Sequence, residues 1–260
     1  MEISRRANSF RLAELRAGIR PFRLHFFSRL RSTNDQAAAL RARGELYAPA
    51  LVLTPNQIAG RGRGTNRWFS TAGVLTVTFV LPVEEHLASH HIPLVAGLAV
   101  RDAVAQMTGR GEIQLKWPND ILCVGRKLAG LLCERVDRVD LIGVGLNVNL
   151  DPRAAPKGLR DRITSMSQVI SDSLDMTETL IHLARHLYSA LSRRGESPFA
   201  QVLSRYEEHH ALPGKRVIVT NLDDSSPIKG TVQGLDAQGR LILRDRGKIH
   251  HVVSGQVQME

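Results

Sequence analysis

The segment from Asn56 to Trp68 reads N-Q-I-A-G-R-G-R-G-T-N-R-W: three glycines alternate with arginines and give way to an indole. Gly60, Gly62 and Gly64 free the backbone to take positive φ and to lie close against a ligand. Arg61, Arg63 and Arg67 are planar, permanently charged forks suited to carboxylate or phosphate. Trp68 offers a flat face for a base or ring. No Asp or Glu occurs from Leu46 to Val83, so the arginines are expected to stand unneutralised and the loop to fold over an anion. Gly/Arg alternation also marks disordered RNA-binding tails. The flanks argue against a tail here. Ala50 to Thr54 before the segment and Val74 to Leu81 after it both read as β-strands, the second stopped by Pro82. A Gly/Arg loop joining two strands of one sheet reads as a ligand-closing loop.

Around this loop, 260 residues hold one large domain, or one and a small one. A hydrophobic content of 43% suits a chain that buries a core. A net charge of +10 favours an acidic partner, unless the excess arginine is only a solvated surface. Two cysteines suggest a reducing compartment, the cytoplasm. If Gly125-Arg126 is a two-residue hairpin turn, Cys123 faces Leu128 and Cys133 faces Pro118. The thiols then stand about 17 Å apart along the strand, beyond disulfide reach. No apolar run reaches membrane-spanning length, so no membrane partner is expected.

Residues 1–21 form a basic arm. Leu12, Leu15 and Ile19 fall at helical spacing before Pro21. The arm is too short for a helix-turn-helix domain, so no specific DNA partner is expected. A strand over residues 22–27 follows. Ser32-Thr33-Asn34-Asp35 caps a helix over residues 36–43 that stops at Gly44; taken alone, that cluster does no more than cap. Residues 92–107 read as an apolar helix, residues 113–117 as a strand with Lys116 and Trp117 at its end, and residues 121–124 with 127–136 as a hairpin. Pro118 stops the first of these strands and Asn119-Asp120 makes its turn. Residues 141–149 read as a strand thinned by Gly143 and Gly145, where something approaches its backbone. Residues 152–163 read as loop, and residues 176–194 and 198–209 as helices. Beyond Pro213-Gly214, four short strands at 216–220, 228–235, 240–243 and 249–253 suggest a small SH3-like β-barrel.

Three motifs taken together resemble the biotin protein ligases: Ser32-Thr33-Asn34; Gln57-x-x-Gly60-Arg61-Gly62-Arg63; and Lys116-Trp-Pro-Asn-Asp120 followed by Arg126-Lys-Leu-Ala-Gly130. Gly145-Leu-Asn147 fits as a fourth block. The likeness runs from about Phe22 to Val257. It implies an α+β fold: a mixed, largely antiparallel sheet flanked by helices in a class II synthetase-like catalytic domain, residues 22–211, and an SH3-like domain, residues 212–260. It implies that biotin's carboxylate attacks the α-phosphate of ATP, with Mg2+ accompanying the nucleotide. A lysine of a biotin carboxyl carrier protein then takes the biotinyl group. By this resemblance Ser32, Thr33, Asn34, Gln57, Gly60, Arg61, Gly62, Arg63 and Lys116 surround biotin. Arg63, Trp68, Asn119, Lys127 and Asn147 meet ATP. Lys116 and Arg63 are the catalytic pair, and no protein metal site is implied. Some members dimerise by sheet extension, so a homodimer fits the resemblance.

The chemistry suits these residues. Joining two anions requires positive charge where negative charge crowds, and Lys116 is a compact cation at a strand end. Alone it reads as a snorkelling lysine, and Trp117 reads as core. Asp120 is a turn former, or else a partner of Lys116 or magnesium; Lys127 is a hairpin surface charge or a phosphate contact. Thr65 stands where many relatives carry glycine, and Gln233 where some carry arginine. Two rivals remain. A lipoate ligase or octanoyl transferase shares the architecture but lacks the Gly/Arg loop followed by K-W-P-N-D. A nucleic-acid module would show aromatics interleaved with basic residues, and aromatics are 5% here.

Overall fold

The computed structural model describes residues 10–85, 87–192, 199–220 and 226–260. Arg5, Arg6, the expected end of the 176–194 helix, Pro198 and the 221–224 turn lie outside them. The chain runs α1 (Leu12–Gly18), β1 (Arg23–Phe26), α2 (Thr33–Ala42), β2 (Ala50–Thr54), β3 (Gly60–Arg61), β4 (Arg67–Trp68), β5 (Val74–Pro82), α3 (Ile92–Thr108), β6 (Ile113–Lys116), β7 (Asp120–Cys123), β8 (Arg126–Val136) and β9 (Val139–Asn147). A 3-10 turn at Pro152–Ala154 follows, then α4 (Lys157–Arg160), α5 (Met166–Ile170), α6 (Met176–Leu191) and α7 (Phe199–Glu208). The C-terminal strands are β10 (Arg216–Thr220), β11 (Ile228–Leu235), β12 (Leu241–Asp245), β13 (Lys248–Val252) and β14 (Gln256–Met259).

Seven strands form one sheet in the order β1-β2-β5-β9-β8-β7-β6. Only β1 and β2 are parallel; the other pairs are antiparallel. The reason for two faces is visible in β5. Leu75, Val77, Phe79 and Leu81 alternate with Thr76, Thr78 and Val80, and successive side chains point to opposite sides. The first set joins the main core with α1, α3 and α6. On the other side, Ala37 and Leu40 of α2 cover Val52, Val80 and Leu141. The polar residues Thr76 and Thr78 lie on this same side: Thr78 meets Thr33 and Asn34 in the first turn of the helix, and Thr76 borders a cavity beyond it. Capping follows the sequence: Ser32 Oγ accepts from Asp35 N at the start of α2, and α3 ends at Gly109 with φ 64°, the left-handed conformation glycine tolerates.

Several local expectations are corrected. Residues 10–21 are not an arm: Leu15 and Ile19 of this stretch are buried in the main core. The turn between β7 and β8 is Val124-Gly125, both at positive φ, because Cys123 pairs with Arg126. Cys133 lies opposite Ile142, not Pro118, and both cysteines are free thiols. Asp120 opens β7 and is no turn residue. The 152–163 loop contains the 3-10 turn and α4. The C-terminal sheet has five antiparallel strands, ordered β13-β12-β11-β10-β14, one more than the four expected.

The two parts of the chain are tied together. The linker after α7 hydrogen-bonds to β6: Leu115 N donates to His209 O, and Ala211 N donates to Leu115 O, both at 2.8 Å. Trp117, buried as expected, donates from Nε1 to Gly239 O at 3.1 Å. The strand that ends in Lys116 is thereby braced by the C-terminal half.

Candidate active site

The sheet register builds the floor of the site. Lys116 lies opposite Asp120, Asp120 opposite Gly130, Gly130 opposite Gly145, Gly145 opposite Thr76 and Thr76 opposite Thr54. Laterally paired residues share a face, so these all point to one side. A parallel row carries Leu132, Gly143 and Thr78. Above them lies a cavity of about 790 Å³. Glycine fits where the floor is crowded. A Cβ on Gly145 would stand 2.2 Å from Trp68 Cε2, and one on Gly143 would stand 2.4 Å from Asn34 Oδ1. The approach expected at the glycine-thinned strand is thus made by Trp68 and Asn34.

Ser32, Thr33 and Asn34 do more than cap. All three are buried and line the cavity with Gln57. Gln57 Oε1 accepts from Thr33 N at 2.9 Å, which leaves the Gln57 amide nitrogen as a donor. Thr78 Oγ1 donates to Asn34 Oδ1 at 2.6 Å and lies 2.8 Å from Thr33 Oγ1. Asn34 Nδ2 donates to Leu132 O at 3.1 Å and to Glu134 Oε2 at 2.7 Å. Both of its hydrogens are engaged, so Asn34 pins the wall, and Ser32, Thr33 and Gln57 present the groups a ligand can use. Gly60 packs tightly: a Cβ there would meet Gln57 Nε2 at 2.6 Å.

The Gly/Arg loop is a short hairpin in which Gly60 pairs with Trp68 and Arg61 with Arg67. Gly62 N donates to Asn66 O at 2.8 Å. Of its three glycines only Gly64 has positive φ, 59°; Thr65 is exposed. Arg61 overturns the expectation of unneutralised arginines. Its Nη1 and Nη2 reach the two oxygens of Glu134 at 2.9 and 2.8 Å, and its Nε reaches Asp35 at 2.7 Å. The partners were hidden because they come from α2 and β8, not from the neighbouring sequence. Arg61 is therefore a staple at the edge of the cavity, not an anion fork. Arg63 is half-buried. Burial lowers its pKa, and its Nη1 donates to Gly255 O of the C-terminal part at 3.1 Å. Trp68 lies over Gly145 and Gly130. Its indole N–H and the Ser70 hydroxyl are buried without partners among the described residues.

The cations gather toward β6 and β7. Lys116 lines the cavity with Lys127, Arg63, Arg67 and Arg162. Burial lowers the Lys116 pKa; Asp120 opposes that shift, and Lys127, Arg162 and Lys215 add to it. Asp120 pairs with Lys127, its Oδ1 2.6 Å from Nζ, so Asp120 is neither a turn former nor the ion-pair partner of Lys116. Lys127 also stands 5.7 Å from the Trp68 ring centroid. Asn119 and Asn147 line the cavity, but their amides are committed to backbone. Asn119 Nδ2 donates to Leu131 O at 2.6 Å, and Asn147 Nδ2 to Thr164 O at 2.9 Å. Asn147 thus fixes the wall that carries Arg162.

The residues missed from the sequence are Asp35, Thr78, Glu134, Arg162 and the Gly255–Met259 segment. Thr76 and Thr78, polar at period two inside an apolar strand, were the one legible signal. Gln233 is exposed, and its amide donates to Thr231 O. The C-terminal part instead reaches the cavity through residues 255–259.

Comparisons with known proteins agree with this geometry. The model described as the biotin/lipoate A/B protein ligase family matches residues 26–151, and the biotin protein ligase C terminal domain matches residues 214–259. A biotin–[acetyl-CoA-carboxylase] ligase of Mycobacterium tuberculosis is 33% identical over 235 residues, 87% of this chain and 85% of the relative. One from Paracoccus denitrificans is 32% identical over 223 residues, 82% of this chain and 92% of the relative. The solved structure of a biotin protein ligase from Aquifex aeolicus, in complex with biotin and ATP, aligns with a TM-score of 0.80 at 25% identity. It covers 91% of this chain and 98% of that one. Fold, motif set and both halves of the chain converge: the chain belongs to the biotin protein ligase family.

Proposed function

We propose that this chain joins biotin to ATP as biotinyl-5′-AMP and passes the biotinyl group to a lysine of a biotin carboxyl carrier protein in the cytoplasm. The observation that carries this reading is the division of one cavity. Its uncharged polar wall, Ser32, Thr33 and Gln57, meets β5 through Thr78. Of its cations, Lys116 ends β6, Lys127 pairs with Asp120 of β7, Arg63 lies within electrostatic reach of Asp120, and Arg162 within reach of Lys116. A ureido ring offers the donors and acceptors such a wall requires. A carboxylate and a triphosphate require the cations. The names of the relatives, and the biotin and ATP of the Aquifex aeolicus structure, support it. A lipoyl or octanoyl chain would leave the Gln57 amide nitrogen without a use. The free thiols Cys123 and Cys133 suit a reducing compartment.

In the first step a biotin carboxylate oxygen attacks the α-phosphorus. The bond from that phosphorus to the β-bridging oxygen breaks, and pyrophosphate leaves. Two anions meet, so Lys116 and Arg63 stabilise charge that grows as the phosphorus becomes five-coordinate. In the second step the neutral amine of the carrier lysine attacks the acyl carbon. The acyl bond to AMP breaks, and the amine's surplus proton passes to solvent. Neither step needs a protein nucleophile. No group of three His, Cys, Asp or Glu placed to hold a metal occurs among the described residues. Asp120 and Asp161 are the carboxylates that line the cavity, and they would be the ones to meet a magnesium ion accompanying ATP, which would offset phosphate charge there.

The reading is tested by incubating the protein with MgATP, a carrier domain and either biotin, lipoate or octanoate, and weighing the carrier. A biotinyl mass increment on one lysine is expected. Increments from lipoate or octanoate instead of biotin would overturn the assignment.

A further inference from the structure

We propose that Glu134 is the positioning residue that fixes the Gly/Arg loop to the polar wall of the cavity. The inference deepens the reading above by naming what sets the loop's place before any ligand arrives. Glu134 sits on β8, directly across from Leu141. Its two oxygens take both terminal nitrogens of Arg61 on β3, and Oε2 also takes the side-chain amide of Asn34 on α2. One carboxylate therefore ties together three elements that are distant in sequence. An isolated surface ion pair contributes little. This one is bidentate, shares a carboxylate with a buried amide, and is extended by Asp35 on the Arg61 Nε.

The consequence runs in two directions. Toward the wall, Asn34 has no freedom. Its hydrogens go to Leu132 O and Glu134, its oxygen takes Thr78, and it packs onto Gly143, where a Cβ would stand 2.4 Å from that oxygen. Removing Glu134 frees one hydrogen and loosens the turn that carries Thr33. Toward the loop, Arg61 is the first arginine of the hairpin and lies two residues before Arg63. Holding Arg61 sets where Arg63 enters the cavity. Each nitrogen of the Arg61 guanidinium already faces a carboxylate oxygen, so Arg61 acts through its position and not by binding an anion.

Glu134→Gln in the full chain separates this role from a general structural one. In the unliganded protein, amide exchange at Gly62 and Asn66, both hydrogen-bonded within the hairpin, should rise about tenfold while α6 stays unchanged. In steady state, KM for biotin should rise about tenfold through the loosened wall, and kcat should fall about tenfold through the displaced Arg63. Arg61→Met should match it, and the double variant should be no worse than either single one, as expected for partners in one interaction. Unchanged exchange and KM would overturn the proposal. So would additive effects in the double variant, or exchange raised equally in α6. If the wild-type protein failed to use biotin, the activity reading would fall, and the exchange result would still decide the role of Glu134.

Discussion

Lys116 has a lowered pKa because it is buried beside other cations, with Asp120 pulling the other way. The sign of the pH effect follows. In the unliganded enzyme, Lys116 is fully charged below its depressed pKa and loses its proton at a lower pH than an ordinary lysine. The kcat/KM for biotin-dependent pyrophosphate release should then fall on the alkaline side at a lower pH than the titration of a free lysine would give. Lys116→Arg cannot deprotonate in this range, so its surviving activity should lack that limb; identical limbs in the two proteins would refute the assignment. Arg63 carries a second test. Biotinyl-5′-AMP is a mixed anhydride open to any amine, so the enzyme must retain it. Arg63 reaches Gly255 O across the mouth of the cavity, and Arg63→Gly removes that contact and adds backbone freedom. The variant should still form adenylate but release it faster and label bystander lysines. Retention as long as in the wild type, in a direct dissociation assay, would assign the latch elsewhere.

Among the elements, β9 and the β3–β4 hairpin show how closely the site is built. Gly145 admits the Trp68 ring against the sheet. Gly145→Ala should push the indole off the floor at a cost of about 1–3 kcal/mol, as overpacking does. KM for ATP should rise with little change in far-UV circular dichroism; an unaltered KM would mean that the indole plays no part in nucleotide binding. Elements of this kind were legible to very different degrees. The strands Ala50–Thr54, Arg216–Thr220 and Ile228–Leu235 were read correctly because alternation and turn residues are local signals. The partners of Arg61 were not legible. Asp35 and Glu134 lie on either side of the loop in sequence and reach it only through the fold, so the absence of nearby carboxylates misled. The strand β14 was missed because only Val257 of its residues is buried, which leaves no clear apolar face to read. The turn at Val124-Gly125 was displaced by one residue because valine at positive φ is rare.

For the whole molecule, the C-terminal sheet is a wall of the site and a brace for it. Gly255–Met259 line the cavity, and the linker pairs with the strand bearing Lys116. The net charge of +10 bears on the second step. An acidic carrier domain would be steered electrostatically, so transfer should slow as ionic strength rises. Adenylate formation from saturating small ligands should respond much less. Equal sensitivity of both steps would remove steering from the account.

The central claim is that this cavity activates biotin with ATP and that Lys116 supplies the charge for it. Exchange of labelled pyrophosphate into ATP, measured with biotin, lipoate or no acid, tests both parts in one assay. Exchange should require biotin, and Lys116→Ala should lower it by roughly 100-fold, on the order of 3 kcal/mol, as for a lost transition-state donor. Exchange supported by lipoate, or a Lys116→Ala rate within a few-fold of wild type, would contradict the account.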